Sequence, residues 1–317
     1  MRALVTGVAG FIGSHLAKKL LDEGYEVIGV DSFTDYYDPS LKVLNVAHLI
    51  DRENFKLVRG DLLTLAIEAH LDGVDHIFHL AGQPGVRGSW GEGFEPYVAA
   101  NILVTQRLLE AAKSAASIKK FVYASSSSVY GDAHAFPTAE TDRPQPVSPY
   151  GVTKLAGEHL CYLYAVEAGV PTTSLRYFTV YGPRQRPDMA FTRFLTAAIR
   201  KEKITVYGDG TQIRDFTYVD DVVRANILAA RGDTASGAVF NVSGGSDVSV
   251  NEVLETIRII TGNTLNVVRT ERASGDVFRT GGSANLIRDA LGWEPRVMLS
   301  AGLQRQYEWL KSVHAGG

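Results

Sequence analysis

The ten residues TGVAGFIGSH (6–15) constrain the fold more than any other stretch. An apolar run, ALVTG (3–7), leads into them, and the helical pattern SHLAKKLLDEG (14–24) leads out. Gly7, Gly10 and Gly13 therefore stand at a strand-to-helix turn with three-residue spacing. Glycine lets the chain turn sharply there. It also lets an anion approach the first turn of the helix, where unpaired N–H groups and the dipole favour negative charge. GxxGxxG in this setting is a variant of the dinucleotide fingerprint. A tight turn with close packing and no ligand would use the same glycines. Asp31 tips the balance, because it ends the next apolar run, EVIGV (26–30). A carboxylate at that distance accepts hydrogen bonds from ribose hydroxyls and repels a 2′-phosphate, which favours NAD over NADP. Asp61 ends the third run, where it could reach an adenine amine or serve only as a loop aspartate.

The later apolar runs are KLVRG (56–60), HIFHLA (76–81), KFVYAS (120–125) and TSLRYF (173–178). Helical patterns such as VTQRLLEAAKSA (104–115) lie between most of them. Strands that are apolar on both faces and separated by helices imply a parallel sheet covered on both sides. The expected fold class is α/β: a doubly wound, parallel-sheet Rossmann domain with a smaller mixed α/β C-terminal substrate domain. After about residue 180 the pattern changes. YGPRQRPDM (181–189) reads as a loop, and FTRFLTAAIRKEK (191–203) as a helix. VYGDGTQIRDFTYVDDV (206–222) packs turn signals between short strand-like pieces. AVFNVSG (238–244) reads as a strand and SVNEVLETIRIITG (249–262) as a helix. The first domain is assigned 1–180 with a returning piece around 214–243, and the second 181–213 with 244–317.

Composition excludes several function classes. The net charge of −3 leaves no global basic field for nucleic acid or an acidic membrane, so local cations must meet any anionic ligand. Cys161 is the one cysteine, which rules out an intramolecular disulfide and suits a reducing cytoplasm. MRALVTGVAGFIGSHL is too glycine-broken for a signal sequence, and no run approaches the roughly 18–20 apolar residues of a membrane span. No His/Cys/Asp cluster has metal spacing, and no metal is expected.

SPYGVTK (148–154) carries the chemistry. Ser148 is a good N-cap and Pro149 suits the first helical position, so Tyr150 and Lys154 fall one turn apart on one helix face. A tyrosine near pKa 10 is a poor base at neutral pH. A nearby ammonium and a cationic nicotinamide both favour its phenolate, and a shift of about three units needs only roughly 4 kcal/mol. FVYASSSSVYG places Ser125 to Ser128 at the end of the fifth strand, where a parallel sheet presents residues to ligand. A serine run is often a polar turn or cap. Beside a dinucleotide turn and a Tyr–Lys pair, it also offers a hydroxyl to share a proton.

These stretches, with HLAGQPGVRGSW, LRYFTVYGPRQRP and YGDGTQIRDFTYVDD, resemble the extended short-chain dehydrogenase/reductases, specifically NAD-dependent nucleotide-sugar epimerases. The resemblance covers essentially the whole chain. It implies Ser126, Tyr150 and Lys154 as the catalytic set, and a tightly held NAD recycled within each turnover. It places the cofactor on Gly7, Gly10, Phe11, Ile12 and Gly13, and on Asp31, Ser32, Lys42, Asp61 and Leu62. Leu80, Ala81, Gly82, Gln83, Asn101 and Tyr177 complete that set with Tyr150 and Lys154. Where related dehydratases and UDP-glucuronate decarboxylases carry an acid before VYG, this chain has Ser128, which argues for epimerisation. Thr179 replaces the asparagine of UDP-galactose 4-epimerase-like sequences, and TVYGPRQRPDMAF is most similar to bacterial UDP-glucuronate 4-epimerases.

Chemistry agrees with that choice. Oxidising UDP-glucuronate at C4 gives a β-keto acid, which an epimerase must hold in an orientation that does not lose CO₂. Hydroxyls of Ser127, Ser128 and Thr179 could do so without a repelling acid. UDP-glucose epimerisation is the nearest alternative, and UDP-glucuronate decarboxylation a further one. For the nucleotide end the candidates are Arg87, Arg186, Arg193, Arg214 and Arg272, with Gln212, Asp276 and the Val206–Tyr207 backbone. The family favours Arg214 on the diphosphate. ERASGD (271–276) departs from the commoner RxGD, and Arg186 faces the sugar end without a partner visible in the sequence. His79 reads as a packed strand residue. The resemblance also implies a cytoplasmic homodimer, with the helices at 93–115 and 149–167 as its interface.

Overall fold

The computed structural model describes residues 1–132, 135–271 and 279–315. Strands β1 (Arg2–Thr6), β2 (Glu26–Asp31), β3 (Phe55–Arg59), β4 (His76–His79), β5 (Lys120–Ser126) and β6 (Thr172–Tyr177) carry the first part of the chain. Helices α1 (Phe11–Asp22), α2 (Pro39–Ile50), α3 (Glu95–Tyr97), α4 (Val104–Lys113) and α5 (Pro149–Ala168) connect them. Then come β7 (Val180–Tyr181), α6 (Ala190–Arg200), β8 (Lys203–Tyr207), β9 (Ile213–Asp215), β10 (Thr217–Tyr218), α7 (Val219–Arg231) and β11 (Ala238–Val242). The chain closes with β12 (Asp247–Ser249), α8 (Val250–Thr261), β13 (Asn266–Thr270), α9 (Asn285–Leu291) and α10 (Leu299–Ala315).

Seven strands form one parallel sheet in the order β11-β6-β5-β4-β1-β2-β3. Strand order reverses between β1 and β4. The loops that leave their carboxyl ends diverge there and open a crevice. Side chains alternate across the sheet. Ala3, Val5, Val27 and Phe78 join the core under α1 and α7, while Leu4, Ile28 and Ile77 join the core under α4 and α5. All four residues of β4 and all six of β6 are buried, the signature of a sheet covered on both faces. Three two-stranded sheets complete the C-terminal part: β10 with β7, β12 with β9, and β13 with β8.

Local chemistry sets the boundaries that matter. α1 begins at Phe11, three residues before the sequence pattern suggests, because Gly10 is its N-cap and Ser14 turns its hydroxyl onto the Phe11 carbonyl. α5 begins as read, with Ser148 Oγ accepting from Gly151 N–H and Pro149 in the first turn. α8 opens with a capping box between Ser249 and Glu252. The helix expected over 191–203 is too long. Lys201 adopts φ +57° and ends α6, and Lys203 already starts β8. A π-helical turn, Val98–Leu103, joins α3 to α4 and buries Asn101 beneath the crevice.

Candidate active site

The glycine turn is built for close approach. Gly7 has φ +69°, and a Cβ there would lie 2.8 Å from the Ala81 nitrogen, so only glycine lets this turn meet the segment after β4. A Cβ on Gly13 would strike the Gly7 carbonyl. Gly10 offers no side chain to cap α1, so the first turn of that helix keeps its donors for the cleft lined by Phe11, Ile12 and Gly13. Asp31 joins this turn to the next loop. One carboxylate oxygen accepts from Ala9 N–H (3.0 Å), the other from Phe33 N–H (2.8 Å). Lys42 stands beside it and donates to Thr34 Oγ1 (2.9 Å). Burial pushes Lys42 down, with Asp31 and Asp35 opposing. Burial, aided by Asp31, pushes the Tyr37 phenol up to about 12.

A single cleft of about 280 Å³ runs from this corner to the start of α5. Every residue assigned to the cofactor lines it except Asn101. Asn101 lies behind the wall. It accepts from Gln83 N–H (2.8 Å) and donates to the Gln83 carbonyl (3.1 Å) and to Thr153 Oγ1 (3.0 Å). His79 is packed as read, between Thr6 and Thr105, and burial drives its pKa down to about 3, so it stays neutral.

Tyr150 and Lys154 both line the inner end of the cleft. Lys154 Nζ donates to the Ala124 carbonyl (3.0 Å), and burial holds it down at about 8 against the opposing Glu158 carboxylate. A Cβ on Gly82 would lie 3.2 Å from that nitrogen, which shows how thin the wall is there. The amide of Tyr150 donates to Ser89 Oγ (3.1 Å), a contact spanning 61 residues. The expected lowering of Tyr150 is not produced by the polypeptide alone. Burial raises the phenol, while the Ser126 hydroxyl within hydrogen-bonding reach and the Arg186 guanidinium act in the other direction.

The serine run divides where β5 ends: Ser125 and Ser126 close the strand, and Ser127 and Ser128 open a 3-10 turn. Ser125 turns to Glu158, which holds Arg176 through two hydrogen bonds (2.9 and 2.7 Å) in a buried ion pair. Ser126, Ser127 and Ser128 stay half-buried. Ser126 Oγ accepts from Ser128 N–H and donates to Ser128 Oγ, both at 3.1 Å. Tyr177 lines the cleft and donates to Asn226 (2.9 Å). Thr179 is half-buried, and its carbonyl accepts from Thr217 N–H (2.9 Å).

The candidate nucleotide cations are scattered. Arg186 lines the cleft over the Tyr36 ring (5.8 Å) and pairs with Asp188 (2.9 Å). Arg87 lies over the Tyr207 ring (4.6 Å), and Tyr207 in turn accepts at its carbonyl from Gln212 (2.9 Å). Arg214 donates to the Ile213 carbonyl (2.9 Å), Arg193 is exposed on α6, and the Val206 side chain is buried. Arg272 and Asp276 lie outside the described residues. Sequence reasoning missed Thr34, Tyr36 and Tyr37, which line the cleft just after Asp31. The aromatic pair in DSFTDYYDP, directly beyond a strand's carboxyl end, was the available signal.

A dinucleotide fits this cleft on the chain's own terms: a glycine cradle that a Cβ would fill, an uncapped helix start, a carboxylate at the end of β2 and a buried lysine at the far end. The model of the NAD dependent epimerase/dehydratase family matches residues 3–243. The "uncharacterized UDP-glucose epimerase YtcB" of Bacillus subtilis is 42% identical over the full length of both chains. The "probable UDP-glucuronate 4-epimerase" of Rhizobium meliloti is 39% identical over 98% of this chain and 96% of its own. The crystal structure of UDP-glucuronic acid 4-epimerase from Bacillus cereus, in complex with UDP-glucuronic acid and NAD, superposes with a TM-score of 0.95 at 42% identity, covering 99% of this chain and 100% of that one. Likeness that runs through both the glycine turn and the Tyr150 end leaves one assignment: the chain belongs to the NAD dependent epimerase/dehydratase family.

Proposed function

We propose that the protein epimerises UDP-glucuronate to UDP-galacturonate at C4 through a transient 4-keto sugar. One observation carries the substrate choice. The Ser126 hydroxyl lies within hydrogen-bonding reach of Tyr150 and is itself bonded to Ser128, the serine before Val129-Tyr130-Gly131, and the guanidinium of Arg186 lines the cleft beside Tyr150. Hydroxyls and a guanidinium suit a carboxylate-bearing sugar. Tyr150 takes the C4 hydroxyl proton with Ser126 bridging, and later returns it. Lys154 keeps a positive charge beneath this exchange. Held by Gly7–Gly13, Asp31 and Lys154, NAD supplies a hydride acceptor that gives the hydride back, so no net redox change results. Ser127, Ser128 and Thr179 hold the carboxylate out of the orientation in which a β-keto acid loses CO₂. Residues 181–213 and 244–317 grip the nucleotide while the sugar turns over.

A proton NMR time course with UDP-glucuronate and no added cofactor tests this. UDP-galacturonate should appear without CO₂ or net NADH. Turnover of UDP-glucose alone would overturn the substrate choice and leave the Tyr–Lys chemistry intact. The Bacillus subtilis relative's name makes that the second reading. CO₂ with a UDP-pentose would instead make the enzyme a decarboxylase. The same proposal includes a cytoplasmic homodimer through the helices at 93–115 and 149–167. It is supported by Val152, Leu163 and Val166, exposed along one side of α5, and by exposed Leu103. Among the described residues no helix is long and apolar enough to cross a membrane. Light scattering at one subunit's mass would remove the dimer.

A further inference from the structure

Among the described residues lining the cleft, the cations are Lys42, Lys154 and Arg186. Lys42 serves the Asp31 corner, and Lys154 is committed to the Ala124 carbonyl. Arg186 alone of the three carries its charge on a planar fork beside Tyr150, and one edge of that fork is already taken. Nε donates to one Asp188 oxygen (3.0 Å) and Nη2 to the other (2.9 Å). The guanidinium side chain is 19% exposed, its partner 44%.

Asp188 is not needed as a strut. The backbone around Arg186 is fixed by its neighbours. Gln185 is buried, donates to the Val180 carbonyl (3.0 Å), and accepts from Thr192 N–H (3.1 Å) and Gln306 Nε2 (2.9 Å). Met189 N–H donates to the Arg186 carbonyl (3.2 Å). The ring of Tyr36 supports the guanidinium from below. What Asp188 changes is charge. A guanidinium matched to a carboxylate through two donors presents an incoming anion with a nearly neutral surface. The Asp188 carboxylate is the exposed half of the pair, screened by water, so a second carboxylate entering the cleft can contest it.

We propose that Asp188 competes with the sugar carboxylate for the fork of Arg186, and so sets how strongly the site prefers an anionic sugar over a neutral one. The proposal rests on the UDP-glucuronate reading and adds a specificity-determining residue to it. Asp188→Asn keeps the shape and one acceptor while removing the charge. The experiment measures binding of UDP-glucuronate, UDP-glucose and UDP by calorimetry to NAD-loaded protein, with and without D188N, in a Tyr150→Phe background that blocks turnover. UDP-glucuronate should bind roughly two- to fivefold more tightly to D188N, with UDP-glucose and UDP unchanged. Weaker UDP-glucuronate binding, no change, or an equal shift for both sugars would overturn the proposal. An otherwise wild-type enzyme that leaves UDP-glucuronate unconverted, while D188N still tightens its binding, would overturn the substrate reading and keep the role of Asp188.

Discussion

Asn101→Ala should loosen the floor of the cleft far more than its single side chain suggests. The residue is 1% exposed, and its amide makes three hydrogen bonds, two to Gln83 and one to Thr153. Alanine removes all three and leaves both backbone groups of Gln83 without that partner. Each bond contributes about 1 kcal/mol net, and because Gln83 lines the cleft water can replace its lost partner, so the loss is roughly 3 kcal/mol. Unfolding entropy of about 2.1 cal/mol/K per residue makes roughly 0.7 kcal/mol/K for this chain, so Tm should fall by about 4 °C. The local effect is the informative one. Gln83 and Gly82 line the cleft, and a Cβ on Gly82 would lie 2.6 Å from Asn101 Oδ1 and 3.2 Å from Lys154 Nζ. A wall this thin moves when its support goes, so NAD should escape during purification. Calorimetry gives Tm, and chromatography of the denatured protein gives the NAD content. Tm within about 1 °C of the parent would refute the energetic argument. A full drop in Tm with NAD fully retained would show that Asn101 holds the fold and not the cofactor floor.

Three further outcomes follow from the same geometry. Tyr150→Phe should abolish turnover while sparing NAD binding, and full activity in that variant would sink the proton-transfer role of Tyr150. Burial holds Lys154 at about 8, and a lysine loses its charge as pH rises. Catalysis that needs the ammonium should therefore decline above that pH, and a kcat/KM profile flat to about pH 10 would contradict it. Ser128→Glu places a carboxylate beside Ser126, so KM for UDP-glucuronate should rise about tenfold and KM for UDP-glucose much less, and equal changes would remove the electrostatic explanation.

The parts of the site that were legible in the sequence are those written within one turn or one strand. Ser148, Pro149, Tyr150 and Lys154 sit within seven residues, and the N-cap and helix periodicity place them without help. Gly7, Gly10 and Gly13 are legible for the same reason, since φ and steric demands act over a few residues. The overlong helix at 191–203 shows the limit of this local reading. Lys201, Glu202 and Lys203 have ordinary helix propensity, yet the pairing of β8 with β13, 63 residues on, takes Lys203 into a strand. The serine run shows another. Four consecutive serines are equivalent on paper, but Ser125 is drawn to the buried Glu158–Arg176 pair, Ser126 ends the strand, and Ser127 and Ser128 have entered a 3-10 turn.

By itself, then, the amino-acid order determined the doubly wound sheet, the glycine turn at its first strand, and the face of α5 that carries Tyr150 and Lys154. Each follows from hydrophobic period, capping and glycine geometry over short spans. Only the tertiary structure decided which distant groups support that chemistry: Ser89 on the Tyr150 amide, Asn101 behind Gln83, and Tyr36 beneath an Arg186 already paired to Asp188. Those contacts join separate loops at the carboxyl edge of the sheet. Their partners are chosen by strand order and packing, which no local pattern of residues encodes.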